Sequence, residues 1–334
     1  MPRSSLRKLL PGTRIQLTDL PQSEPRFIRK MDCVSVNDVN LIPASGVDWF
    51  REIKWDGYRV SIIKRALEAS LRTKSNLPPG ARYQHIQDAL SASKLPDCVL
   101  DAELVALDSD GRPSFQLLQQ SRHNGAEIVI YIFDILNYRG RNLMQLPLEI
   151  RRAVLDSIAP SFPRYVRLSE LLPADAPIST LIAALDDQRL EGIIVKRKTS
   201  RYREGSEPGT WIKYRFYQIG EFVIGGYLKR HDPYFDALIV GERKAGKLVY
   251  KEKVRFGFDD EKKADLLARM EALRASRTPF DNLPERSRRG SLDAEEMREA
   301  IWSRPMLRCT VEYTERTESG NIRGHGRFGQ LLTS

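Results

Sequence analysis

The sequence predicts an α+β protein of two domains: a larger one of antiparallel sheets with flanking helices, then a small β-barrel. Three observations carry this. Between about residues 49 and 215, short β-branched apolar runs alternate with helical patterns. After Gly220 the texture changes to short strands separated by turn residues and interrupted by one amphipathic stretch. The length, 334 residues, is enough for two ordinary domains that each bury a core without disulfides or metals.

The first thirty residues set Arg3, Arg7, Lys8, Arg14, Arg26, Arg29 and Lys30 against only Asp19 and Glu24, with several Ser and Pro and no clear periodicity. They read as a basic flexible N-terminal arm (1–30), with an organellar transit peptide as a rival weakened by the two acids. The first domain (31–218) has strand content at residues 58–66, 98–107, 127–136 and 192–197. Helical patterns lie near residues 83–93, 148–158 and 179–187. The second domain (219–334) shows strands at 222–228, 237–242, 248–254 and 307–313, the last alternating cleanly. A helix over 260–274 puts Leu266, Leu267, Met270 and Leu273 on one stripe, with acids at its start where the dipole favours them. Five or so short strands with one helix suit a barrel of the oligonucleotide-binding (OB) type. Residues 276–291, with Arg286, Arg288 and Arg289, read as an exposed basic loop, and residues 218–221 as the hinge between domains.

Composition bounds the function. With 41% hydrophobic and 29% charged residues the chain reads as soluble and globular. It has no run long enough to span a bilayer and no apolar signal core, so the expectation is a cytoplasmic, nucleoid-associated monomer with no membrane partner. A net charge of +10 favours a polyanionic partner, the alternative being a merely basic enzyme. Cys33, Cys98 and Cys309 are scattered and odd in number, which suggests a reducing compartment and excludes a four-cysteine zinc site. His85, His123, His231 and His325 are equally scattered, so any metal should be a hard cation on oxygen ligands.

The chemistry-bearing string is Glu52-Ile53-Lys54-Trp55-Asp56-Gly57-Tyr58-Arg59. A lysine is a nucleophile only when its amine is neutral, which calls for cationic neighbours or a metal, and Arg59 is one such neighbour. By itself the tetrapeptide also reads as a solvated loop. Downstream come Asp101-Ala102-Glu103-Leu104-Val105, Tyr131-Ile132-Phe133-Asp134-Ile135-Leu136, Glu191-Gly192-Ile193-Ile194-Val195-Lys196-Arg197 and Trp211-Ile212-Lys213-Tyr214-Arg215. In that order the five strings resemble the nucleotidyltransferase motifs of ATP-dependent DNA ligases, most closely the ligase module of bacterial end-joining ligases, over roughly residues 45 to 330.

The resemblance implies a nucleotidyltransferase (adenylation) domain followed by an OB-fold barrel, and a sealing reaction through a lysyl-AMP intermediate. Lys54 would attack the α-phosphate of ATP and expel pyrophosphate. AMP would pass to the 5′-phosphate of a nick, and the 3′-hydroxyl would displace it. Glu103 and Glu191 would hold the ribose and a divalent metal, Mg2+ or Mn2+. Glu103 can also be the plain polar position of an alternating strand. Phe133 would stack on adenine, though a strand Phe also reads as core. Lys196 and Lys213 would touch the α-phosphate, and Arg59 and Glu52 would contact the nucleotide, Glu52 nearest the base. Trp211 and Tyr214 read as core. The implied partners are nicked or broken duplex DNA and end-binding repair proteins, in DNA repair, recombination or replication.

The chain departs from the family pattern in places. Thr73-Lys74 stands where a Ser-Arg pair is usual, so Lys74 offers a point charge in place of a bidentate fork, with Arg72 adjacent. Gly205-Ser206-Glu207 lacks an expected arginine, leaving Arg203 nearby. A closing Arg-x-Asp-Lys is missing after Arg327-Phe328-Gly329-Gln330, where Arg323 or Arg327 would substitute in part, so self-adenylylation should be slower than sealing. The rivals are an RNA ligase or capping-type nucleotidyltransferase, and a non-catalytic DNA-binding protein that keeps the shell.

Overall fold

The computed structural model describes residues 15–119, 126–282, 292–316, 320–323 and 326–332. The chain divides into two compact units, Met1–Phe216 and Tyr217–Ser334.

Unit 1 contains, in order, β1 (Val34–Val36), β2 (Trp49–Ile53), β3 (Tyr58–Arg65), β4 (Glu68–Thr73), α1 (Gln84–Ala92), β5 (Cys98–Leu107), α2 (Phe115–Gln119), β6 (Glu127–Tyr138), β7 (Arg141–Asn142), α3 (Leu148–Ile158), β8 (Val166–Leu168), α4 (Ile178–Asp187), β9 (Gly192–Arg197) and β10 (Trp211–Arg215). A large sheet runs β4-β3-β5-β6-β7 with β8 beside β6, and a small sheet runs β1-β10-β9-β2. The sheets are not wholly antiparallel as expected: β1 pairs parallel with β10, and β8 with β6. Each of these is a three-residue edge strand reached by a long connection, which permits the parallel direction.

Strands β5 and β6 are buried along almost their whole length because both of their faces are covered. One face, with Val60, Ile62, Leu100, Leu104, Ile130 and Ile132, packs against Ile86 and Leu90 of α1 and Val154, Leu155 and Ile158 of α3. The intervening residues take the opposite face by the two-residue period of a strand. There Val99 and Phe133 meet Phe50, Ile194 and Trp211 of the small sheet in a second cluster. Arg151 of α3 is fully buried and forks onto Asp134 of β6 through two 2.8 Å hydrogen bonds, an ion pair that fixes this helix on the sheet.

The mobile arm expected over residues 1–30 is corrected from residue 15 onward; residues 1–14 lie outside the described part. Ile15, Leu17 and Leu20 pack on the large core, Ile28 is buried, and Lys30 is buried against Asp101. The apolar residues and one internal ion pair outweigh the basic composition. His123 also lies outside the described residues.

Unit 2 contains β11 (Gln218–Leu228), β12 (Ala237–Lys244), β13 (Lys247–Val254), α5 (Asp260–Ala272), β14 (Arg274–Ala275), α6 (Ala294–Glu299), β15 (Ile301–Ser303), β16 (Arg308–Tyr313), β17 (Glu315–Arg316), β18 (Ile322–Arg323) and β19 (Arg327–Leu332). One sheet runs β13-β12-β11-β15-β14, with β16 on the first half of β11 and β19 on β16. Bulges near Gly225, Gly241 and Thr310 let these strands bend into the expected OB-like barrel. Asp259 caps α5 by accepting from the Lys262 amide, and Leu266 and Met270 enter the core.

Residues 218–221, expected to be a hinge, instead pair with β16 from Tyr313 to Thr310, so the changeover between units falls at Phe216–Tyr217. The expected basic loop is corrected in part: Phe280 is buried over Gly225 and Gly241, whose missing side chains make room for its ring. Residues 283–291, with its three arginines, lie outside the described residues, as do His325 and the side chain of Arg323. Arg327 is half exposed beside Glu312 at 4.0 Å. No described helix is long and apolar enough to cross a membrane.

Candidate active site

Strand alternation builds the site between the two sheets of unit 1. On the large sheet, Arg59, Asp101, Glu103, Tyr131 and Phe133 share the face turned from the helices. On the small sheet, Phe50, Ile194 and Trp211 point toward that face, while Trp49, Ile53, Ile193, Val195 and Tyr214 pack the other way against Leu185 and Ile182 of α4. Glu52, Lys196 and Lys213 follow the inward parity.

Lys54 stands one residue past β2, held by its amide on the Gly192 carbonyl at 3.0 Å. Its Nζ donates to Glu191, whose other oxygen accepts from Arg215 Nε at 3.0 Å. Gly57 then brings the chain against β5: a Cβ there would lie 2.2 Å from the Leu104 carbonyl. Gly57→Ala is therefore expected to cost roughly 1–3 kcal/mol in chemical denaturation, because backbone must shift to admit one methyl group.

Glu52 is buried and fully engaged. One oxygen accepts from Lys196 Nζ at 2.8 Å and the other from the Ser169 hydroxyl at 3.2 Å. Lys196 Nζ also lies 4.3 Å from the Phe133 ring centre and 4.6 Å from that of Trp211. Phe133 is edge-on to Trp211 at 6.4 Å, so this aromatic pair supports the cations as well as the core.

Behind the nucleophile is a buried charge network. Asp101 accepts from Lys30 Nζ at 2.7 Å, from Arg59 Nη2 at 2.7 Å and from the Tyr202 hydroxyl at 2.8 Å. Burial alone would raise the Asp101 pKa, but Arg59 and Lys30 hold it well below the usual carboxylate range. Burial pushes the nearby Cys33 thiol up, against the opposing pull of Arg59, Lys196, Lys213 and Lys54.

Glu103 is the exception among the acids. Burial pushes its carboxyl up to about 8; Lys54 and Arg59 pull it down, and Glu191 and Asp101 push it further up. Two neighbouring carboxylates, one partly desolvated, are the donor set that a hard divalent cation relieves. No group of three or more acidic, His or Cys ligands exists among the described residues. That fits Mg2+, which takes one or two protein carboxylates and completes its shell with water or phosphate oxygens. With a folded value above the ordinary 4.5, folded protein binds a proton that the unfolded chain has released, so stability falls as pH rises from about 4.5 to about 8. Glu103→Gln is expected to flatten that limb of Tm against pH in metal-free protein, and Mg2+ to flatten it in the wild type.

The predicted residues Glu52, Lys54, Arg59, Glu103, Phe133, Glu191, Lys196 and Lys213 thus converge. Lys74 does not join them: it is 62% exposed and paired with Asp32 at 2.8 Å, and Asp32 lies 3.7 Å from Arg59. Sequence reasoning missed Asp101, Lys30, Asp32, Ser169, Tyr202 and Arg215. Asp101 and Arg215 had a readable signal, each being two residues from a predicted ligand on the same strand face.

Two family models match the chain: one described as ATP dependent DNA ligase domain over residues 30–215, and one described as ATP dependent DNA ligase C terminal region over residues 231–331. The multifunctional non-homologous end joining protein LigD of Pseudomonas aeruginosa is 32% identical over 284 residues, 83% of this chain and 32% of that one. The LigD of Mycobacterium tuberculosis is 30% identical over 279 residues, 82% of this chain and 35% of that one. The chain thus spans about a third of the length of these curated relatives. The solved structure of mycobacterial DNA ligase D complexed with ATP and MES superposes with a TM-score of 0.52 at 26% identity, covering 92% of this chain and 96% of that one.

Proposed function

Since the chain belongs to the ATP-dependent DNA ligase family, we propose that it seals 5′-phosphate/3′-hydroxyl breaks in duplex DNA through a lysyl-AMP intermediate. The observation that carries this is the gathering around Lys54 of carboxylates and cations from five separate strands. The similar solved structure, a mycobacterial DNA ligase D complexed with ATP and MES, supports ATP as the nucleotide and DNA as the substrate.

In the resting protein Lys54 is paired with Glu191. That pair opens for the amine to lose its proton and attack the α-phosphate as pyrophosphate leaves. Lys196, Lys213 and Arg215 then face the charge that builds on the phosphate, the main protein contribution to phosphoryl-type transfer. Glu52 anchors Lys196 and lies on the base side, Phe133 underlies the base, and Arg59 is aimed by Asp101 at the nucleotide. Glu103 and Glu191 would hold a divalent cation, which would supply charge neutralisation at the phosphate oxygens.

The adenylation domain ends near residue 218 and the OB-like barrel follows, supported by the contact division at Phe216. The chain acts in DNA repair on nicked or broken ends, a reading supported by its likeness to proteins named for non-homologous end joining. The test is incubation with labelled ATP or GTP and Mg2+, then addition of nicked DNA. A labelled protein band formed from ATP, and chased by the nick, is the expected result. Label from GTP alone, or DNA binding without label, overturns the reading.

A further inference from the structure

Trp55 follows the nucleophile directly and has no part in the chemistry above. Its indole lies flat on the Tyr131 ring, with centres 3.6 Å apart and planes within 6°. Isolated aromatic pairs prefer offset or edge-on arrangements, so neighbours must hold this one. One does: Trp55 Nε1 donates to the Ser169 hydroxyl at 3.1 Å. Ser169 donates in turn to Glu52 at 3.2 Å, and Glu52 accepts from Lys196 at 2.8 Å.

A relay therefore runs from the residue beside Lys54 to the cation proposed for the α-phosphate. It also joins the sheets, because Trp55 leaves β2 of the small sheet while Tyr131 belongs to β6 of the large one. Tyr131 has its own underpinning in Val105, Leu107 and Val129, a small cluster that Trp55 covers.

We infer that Trp55 is a positioning residue for adenylylation, fixing the 54–57 loop through its stack and the Ser169–Glu52 relay so that the Lys54 amine is aimed. Lysine has four rotatable bonds, and its aim is set by the backbone from which it springs. The inference rests on the ligase reading.

The test compares Trp55→Ala, Trp55→Phe, Ser169→Ala and the Trp55→Phe/Ser169→Ala double variant in two single-turnover assays on the full chain: lysyl-AMP formation from ATP, and sealing of a pre-adenylylated nick. In the second assay Lys54 is no longer the nucleophile. Trp55→Ala is expected to lower the maximal adenylylation rate roughly 30- to 100-fold, with half-saturating ATP and nick sealing each within about threefold of wild type. Trp55→Phe and Ser169→Ala cut the same hydrogen bond, so each should lose roughly three- to tenfold and the double variant no more than the worse single. Additive losses, equal loss in both assays, or a wild-type adenylylation rate in Trp55→Ala with an intact wild-type adduct overturns the inference alone. Absence of any adduct in the wild type overturns the ligase reading and this inference with it.

Discussion

Lys54→Arg is expected to abolish the AMP adduct, lowering self-adenylylation by at least about 10³-fold. The substitution keeps a cation that can still pair with Glu191, so the site stays electrostatically balanced and the fold intact. The guanidinium, however, cannot be deprotonated in a protein and so offers no lone pair to phosphorus. Sealing of a pre-adenylylated nick should survive in part, because the 3′-hydroxyl is the attacking group there. Denaturing gels after incubation with labelled ATP read the first step, and extension of labelled strands reads the last. A labelled band persisting in Lys54→Arg would move the nucleophile elsewhere.

Asp101→Asn is expected to destabilise the protein by roughly 3–5 kcal/mol, the usual cost of removing one member of a buried ion pair. Asp101 and Lys30 are both fully buried in their side chains, and Arg59 is mostly so. The asparagine would leave two cations facing a neutral amide in a site closed to water. Against a total stability of typically 5–15 kcal/mol this is a large share. The folded Asp101 pKa is depressed, so its contribution is present above the unfolded value of about 4 and is lost as pH falls through the folded one. Urea titrations should show the wild type losing stability on acidification and Asp101→Asn lacking that limb. Lys30→Met/Asp101→Asn should recover part of the loss, since it removes one stranded charge. An unchanged midpoint in Asp101→Asn would show the network to be solvated. Adenylylation should fall with the same substitution, because Arg59 loses the fork that aims it.

The sites differ in how far sequence alone could reach. Lys54, Glu103, Glu191, Lys196 and Lys213 were legible because each lies in a short string whose residue types serve one chemistry. Lys74 was legible as a cation but not as one tied to Asp32, which is 42 residues away in the chain. Lys30 was misread as part of a solvated arm, since a lysine among arginines carries no mark of burial. Ser169 carries no signal at all: it follows an edge strand of three residues, and its importance comes from the hydroxyl lying between Trp55 and Glu52.

Sequence by itself determined the α+β class, the principal strands and helices, and the family, because periodicity and ordered strings are properties of neighbours along the chain. Tertiary structure alone decided which strand faces meet. That pairing puts Glu191 against Lys54, sets Asp101 between two buried cations, and lays Trp55 on Tyr131. The physical reason is that a charge or a ring gains its role from what lies within a few ångströms of it. Those neighbours come from β-pairings dozens to well over a hundred residues apart, which no local pattern encodes.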